Sequence, residues 1–235
     1  TGLKIPLYGT LFEFFGTRQW YRAFIKQDLP TEDIIAGTSY DYFRGWSISG
    51  NWSLDMVKKS LNKSINPQQG FTLATSIDFE KNEFIEGLDL TDSGTLTEKF
   101  KDNNLIRIVL NGKYYYRLPF MKRLTLNLGT FFSFLTNDDV DSFFYTYLGG
   151  IPGLKGYPFY SIQGTRSALF DFIVRTPIFK EKHFKFKWMI FQNSTIAGIF
   201  QIGDAWISDN TSFKEFKKSF GFQWRLNGFS FYNFP

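Results

Sequence analysis

The chain has 235 residues, no cysteine, one histidine and a net charge of +5. Without cysteine there is no disulfide and no thiolate metal site, and the basic residues are spread too thinly for a nucleic-acid face. Aromatics make up 20% of the chain, 30 of them phenylalanine, yet the mean hydropathy is only −0.21, so apolar and polar positions interleave.

No run of about 18 apolar residues is present, so no membrane helix is expected. Thr1-Gly2-Leu3-Lys4-Ile5-Pro6 is not a secretory signal. Cleavage of a leader, or a start within a longer protein, would account for that.

Nearly every segment has period two. From Thr38 to Leu54, Tyr40, Tyr42, Trp46, Ile48, Trp52 and Leu54 alternate with Ser39, Asp41, Ser47, Ser49, Asn51 and Ser53. Phe43 and Arg44 break the alternation, which marks either a turn or one long strand with a bulge. Asp55 to Asn62 permits a short turn of helix, which Asn66-Pro67 would end. Phe71, Leu73, Thr75, Ile77 and Phe79 then oppose Thr72, Ala74, Ser76, Asp78 and Glu80. Ile106, Ile108, Leu110, Tyr114 and Tyr116 oppose Arg107, Asn111, Lys113 and Arg117. Leu124, Leu126, Leu128, Phe132 and Phe134 oppose Arg123, Thr125, Asn127 and Ser133, and Phe220 to Leu226 repeat the pattern. Such alternation predicts strands with one apolar and one polar face. The polar stretches Met56–Gln69 and Asn82–Asn103 are expected as long loops. Glu181-Lys182-His183 and Asn227-Gly228 are expected as turns.

Gly149-Gly150-Ile151-Pro152-Gly153-Leu154-Lys155-Gly156-Tyr157-Pro158-Phe159-Tyr160 stands apart, with four glycines and two prolines in twelve residues. Gly149, Gly150, Pro152 and Gly153 shape a loop, because glycine reaches positive φ and proline fixes φ. On composition alone it is an ordinary long hairpin connection.

The side of the apolar face that meets solvent decides the class. Soluble sandwich strands average about five or six residues. Several strands here run for about nine or more, with aromatics near their ends, as a tilted membrane strand requires. The pattern favours an all-β, antiparallel transmembrane β-barrel over a soluble sandwich or a lipocalin-like barrel. In lipid such a sheet must close on itself or on a partner.

After the loop come Gln163 to Ile178, then Ile199-Phe200-Gln201-Ile202-Gly203-Asp204-Ala205-Trp206, then Ser219-Phe220-Gly221-Phe222-Gln223-Trp224-Arg225-Leu226. This order resembles the C-terminal half of BamA-type barrels, the outer membrane protein 85 superfamily or bacterial surface antigen domain. There a strand ending in Gly-Gly leads into a loop with Val-Arg-Gly-Tyr/Phe. A strand with a Glu and a closing Pro follows, then Phe-x-Asp-x-Gly-x-x-Trp, then a Gly-x-Gly-Leu-Arg strand. Leu154-Lys155-Gly156-Tyr157 stands at the loop motif. Tyr147 to Tyr160 looks most like the form that follows a periplasmic β-propeller. The resemblance covers roughly residues 145–226; the N-terminal 140 residues match only as generic strands.

The resemblance implies a barrel of the sixteen-stranded type, with residues 149–165 as a loop inserted in its lumen. The expected domain spans 1–235 and lacks early strands and the final strand, since Phe229 to Pro235 reads as a strand cut short. It places Asp171, Arg175, Gln201 and Gly203 on the wall that anchors the loop. The motif arginine is Lys155 here, the Glu position is Ile173 with Asp171 facing the same way, and the motif Asp is Gln201. Lys155 is therefore expected to meet Asp171 and to donate a softer contact to Gln201.

Catalytic chemistry finds no support. His183 lies in a charged turn, no glycine-flanked serine elbow accompanies it, and no phosphate loop is present. Asp138, Asp139 and Asp141 lack the spaced glycine of a calcium loop and read as a solvated turn. Tyr114-Tyr115-Tyr116 fits an interface girdle better than a sugar- or base-stacking platform. No cofactor, no metal and no enzyme activity are expected.

By resemblance, the protein belongs in the bacterial outer membrane and assists insertion of outer-membrane proteins or protein translocation. A client strand would add at a weakly paired seam between the first and last strands. Its partners would be outer-membrane lipid, unfolded barrel clients, and periplasmic or lipoprotein subunits, with no nucleic acid. The alternative is a passive pore or non-catalytic accessory barrel whose loop is a plug or docking surface. A soluble β-sandwich binding module is a third class.

Overall fold

The computed structural model describes residues 2–25, 38–58, 67–90, 92, 96–119, 121, 123–179, 184–207 and 215–230. Twelve strands follow one another: β1 Gly2–Leu7, β2 Thr10–Ile25, β3 Thr38–Asp55, β4 Gly70–Leu90, β5 Leu96–Arg117, β6 Thr125–Leu135, β7 Thr146–Tyr147, β8 Gln163–Gly164, β9 Arg166–Phe179, β10 Phe184–Phe186, β11 Met189–Trp206 and β12 Lys217–Ser230. Ten of them form one antiparallel sheet, in the order β1-β2-β3-β4-β5-β6-β9-β11, with β12 on the far edge of β11. The short β10 prolongs the β9 side of β11. Among the described residues the sheet does not close, since β1 pairs only with β2, and β12 only with β11. No α-helix occurs among the described residues, and Ser142–Phe144 make a single 3-10 turn.

Register assigns each face. Trp52, Thr75, Leu110 and Phe132 lie in one row across β3 to β6, and Gly50, Ile77, Ile108 and Phe134 in another. On the opposite face, Asn51, Ser76, Val109 and Ser133 form a row. Aromatic and β-branched side chains fit the pleat, which is why these runs form strands. Among the described residues nothing covers the apolar face. Phe220, Phe222 and Trp224 are 79%, 72% and 64% exposed, and Ile48, Phe79 and Phe172 are also exposed.

The packed core instead lies on the other face, where the β6–β9 connection folds over it. Phe43, Leu105 and Leu135 of the strands cluster with Val140 and Phe144 of that connection. Phe143 stacks on Phe84 at 5.0 Å between centroids. Arg107 ties the wall to the connection, its Nε donating to Glu80 at 2.9 Å and its Nη2 to the Phe144 carbonyl at 3.0 Å.

Four expectations need correction or placement. Asn82–Asn103 is not a long loop, because β4 runs to Leu90 and β5 starts at Leu96. Charges on both faces erase the alternation there, while the ladder continues and Lys99 pairs with Glu86 at 2.8 Å. Asn227-Gly228 is not a turn but lies within β12, opposite a bulge in β11 between Phe191 and Asn193. The break at Phe43 and Arg44 belongs to one strand: Tyr21 pairs with Phe43 and Arg22 with Asp41, so Tyr42 is the extra residue of a bulge. Residues 55–58 are not helical, since Met56 and Lys58 keep hydrogen bonds to the carbonyls of Phe71 and Gln69. The rest of that stretch to Asn62, the turn with His183, and the last residues after Ser230 lie outside the described residues.

Leu135 is fully buried under the connection. Leu135→Ala should cost about 2–5 kcal/mol through the lost contacts and the cavity left behind. Phe134→Ala, on the uncovered face, should cost much less in detergent. Urea unfolding followed by tryptophan fluorescence measures both.

Candidate functional site

The glycine-rich loop lies on the polar face, and its own backbone shapes it. Tyr147 pairs with Gln163 and Thr146 with Gly164, which closes the base. Ser133 Oγ and Thr146 Oγ1 lie 2.8 Å apart and tie that base to β6. Gly149 bridges Leu154, and the Leu154 N–H donates to the Leu148 carbonyl at 2.6 Å. Gly150 has a φ of 91°, a conformation that favours glycine. Its N–H donates to the carbonyls of Leu154 and Tyr157. A Cβ at Gly153 would run into the Leu148 carbonyl, so that turn admits no side chain. Pro152 is exposed at the tip. Tyr147 donates to the Ser142 carbonyl at 2.7 Å, and burial followed by Asp141 holds its phenol above its ordinary value.

Two layers hold the loop down. The first is apolar. Leu154 is fully buried among Leu148, Ile162 and Leu169, with Phe131, Tyr157 and Ala205 around them. Gly203 sits beside Leu169 in register, where a Cβ would press on Leu169 and the neighbouring backbone. The second layer is polar and comes from one row of the sheet: Lys113, Gly129, Asp171, Gln201 and Ser219 lie opposite one another on β5, β6, β9, β11 and β12. The Gln201 Oε1 accepts the Lys155 N–H at 3.0 Å, and its Nε2 donates to the Gly153 carbonyl at 2.9 Å and to Asp171 Oδ1. Ser219 Oγ accepts the Gly156 N–H at 2.9 Å. The Tyr157 hydroxyl reaches the Lys218 carbonyl at 3.4 Å.

Asp171 and Gln201 thus meet beside the loop. Lys155 does so by its backbone alone. Its ammonium is exposed and makes no ion pair with Asp171 or with any other described residue. Asp171 instead accepts from the Gln201 amide. Arg175 does not touch the loop either. It lies four residues further along β9, buried, with its Nη2 donating to Gln223 Oε1 at 3.4 Å. Ser219 is the anchor that the sequence reading missed. A serine at an inward position of β12 looks like any other polar-face residue until the register sets it beside Gln201.

The three aspartates after β6 have separate partners. Asp138 accepts from Thr165 and Arg166, Asp139 pairs with Lys101, and Asp141 caps the 3-10 turn through the Phe143 N–H. Tyr114 and Tyr116 stack with centroids 6.5 Å apart on the apolar face, while Tyr115 points to the other.

No family model, no curated protein and no solved structure matches the chain.

Gln201→Ala leaves the Gly153 carbonyl and the Lys155 N–H without their buried partner, at about 1–3 kcal/mol. Cleavage by chymotrypsin after Tyr157, Phe159 or Tyr160 should then rise by roughly 5- to 150-fold. Lys155→Ala keeps the backbone contact and should leave cleavage within about twofold, as for other exposed substitutions. Timed digestion with mass spectrometry reads both.

Proposed function

We propose that this chain is part of a transmembrane β-barrel of the BamA-like, outer-membrane type, with the loop at 149–165 held on the lumenal wall. One observation carries this reading: the apolar face of the sheet is uncovered, while the core and the loop lie on the polar face. In a soluble sandwich the apolar face would be the one buried. A hydrocarbon solvent removes the cost of an exposed row such as Phe220, Phe222 and Trp224, and each such side chain gains about 1.5–3 kcal/mol on leaving water. Tyr114 and Tyr116 at one end of the face suit a membrane interface.

The activity that goes with this architecture is assistance in the insertion or translocation of outer-membrane proteins in bacteria. It needs no covalent chemistry and no cofactor. Unfolded barrel proteins are its clients, and periplasmic or lipoprotein subunits its partners. A fixed loop suits that role, because it keeps one side of the lumen shaped while strands rearrange elsewhere.

A passive pore or accessory barrel is the second reading. It is favoured by the exposed, unpaired Lys155 at the place where the resemblance leads one to expect a wall-bound arginine. Depletion of the protein separates the two. Assembly predicts loss of many barrel proteins from the outer membrane. Altered solute permeability with normal levels of those proteins would favour the pore.

The membrane reading has its own test. Leu110→Arg on the apolar face should destabilise the protein folded in phosphatidylcholine vesicles by about 2–4 kcal/mol. Ser53→Arg on the polar face should cost clearly less. Gel mobility with and without heating, across a urea series, gives both values, and equal effects would count against a lipid-facing surface.

A further inference from the structure

Below the loop the polar face changes character. A cavity of about 610 Å³ lies between the loop and strands β5, β6, β9 and β12. Among the described residues its lining includes Lys113, Lys155, Arg175 and Arg225, against one carboxylate, Asp171. That carboxylate already accepts from the Gln201 amide. Among the described residues none of the four cations has an ion-pair partner.

Arg175 is the centre of this arrangement. It is 3% exposed, and its Nε has no hydrogen-bond partner. Its register neighbours are Thr125 on β6 and Ala197 on β11, and the inward positions before and after it on β9 are Ile173 and Pro177. None is acidic. Across β11 the same face carries Gln223 and then Arg225, a second cation instead of a counter-ion. Asn127, also in the lining, has a buried Oδ1 without a partner. A buried guanidinium keeps its charge and needs an anion or several acceptors around it. These walls supply one long contact, to Gln223.

We infer that this cavity is a binding site for a phosphate-bearing anion. Arg175 and Arg225 supply planar forks suited to tetrahedral oxyanions, and Lys113 supplies a point charge from β5 of the same sheet. Lys155 supplies the loop's share, which gives its exposed ammonium a partner. A bound anion would thus bridge loop and wall and hold the loop more firmly than the Gln201 contacts do alone. The site is formed by this chain's own strands and loop, so it does not rest on what the barrel does.

The test is pyrophosphate binding to the full chain folded in a zwitterionic detergent, measured by calorimetry and by phosphorus NMR line width. Saturable binding at one site is expected, with affinity that falls as salt rises. Arg175→Gln or Arg225→Gln should weaken it about tenfold, the loss of one charge-assisted contact, whereas Lys81→Gln on the other face should not. Pyrophosphate should also slow chymotrypsin cleavage of the loop, and Lys155→Ala should abolish that slowing without changing cleavage in its absence. Should Arg175→Gln fail to fold, Arg225→Gln and Lys113→Gln carry the same expectation. Dihexanoyl phosphatidic acid, run in parallel, separates a phosphorylated solute from a lipid head group as the source: weaker binding than pyrophosphate supports a solute, and tighter binding supports a head group. Absence of saturable binding by either compound overturns the inference, as does wild-type affinity in the arginine variants.

Discussion

The amide of Gln201 is the contact on which the loop depends. A side-chain amide both donates and accepts, so one residue can satisfy a loop carbonyl, a loop N–H and a neighbouring carboxylate together. Gln201 does this from a fully buried position, binding Gly153, Lys155 and Asp171. A carboxylate there could accept from the loop backbone but could not donate to the Gly153 carbonyl, and it would repel Asp171. The amide therefore holds the loop through hydrogen bonds to its backbone, not through a charge pair. One consequence is local, in that Asp171 is occupied. The other reaches further, because the Lys155 ammonium is released toward a cavity that already holds Arg175 and Arg225.

The two faces of the sheet have exchanged their usual roles. Among the described residues, long rows of aromatic and aliphatic side chains have nothing over them, while serine, asparagine, arginine and glutamine side chains line the covered side. A polar wall cannot bury a loop by itself, and the loop brings apolar residues of its own. Leu148, Leu154 and Ile162 meet Leu169 in one place, and Val140 and Phe144 meet Phe43, Leu105 and Leu135 in another. Backbone groups carried into this covered region need partners. Gln201 and Ser219 supply them on the loop side, and Arg107 supplies one at the Phe144 carbonyl.

Most of the strand architecture was legible in the sequence, because period two reports directly on a sheet with unlike faces. It failed where the two faces are alike. Residues 82–103 carry charge on both sides, so a continuous hairpin resembled a loop. It also failed at Asn227-Gly228, where a turn dipeptide sits opposite a bulge and simply accommodates it. The loop's glycines and prolines marked it as a shaped loop, and the resemblance pointed to Asp171 and Gln201, of which Gln201 bonds the loop backbone and Asp171 accepts from Gln201. Ser219 was not, since nothing in a serine separates an anchor from a solvated position. The role of Lys155 was misread for a related reason. Sequence shows that a cation is present, but which of its atoms reaches the wall depends on how the turn directs its N–H.

The sequence by itself determined that this protein is a sheet of long, two-faced antiparallel strands, with a loop among its connections whose glycines and prolines shape its path. Those properties follow from local sterics and from hydrophobic periodicity, which act along the chain. Only the tertiary structure decided that the loop settles on the polar face, that Gln201 and Ser219 hold it by its backbone, and that four cations gather beneath it. These outcomes depend on register. Sliding a neighbouring strand by one residue would turn every side chain to the opposite face, and no single strand encodes where its neighbour will stop.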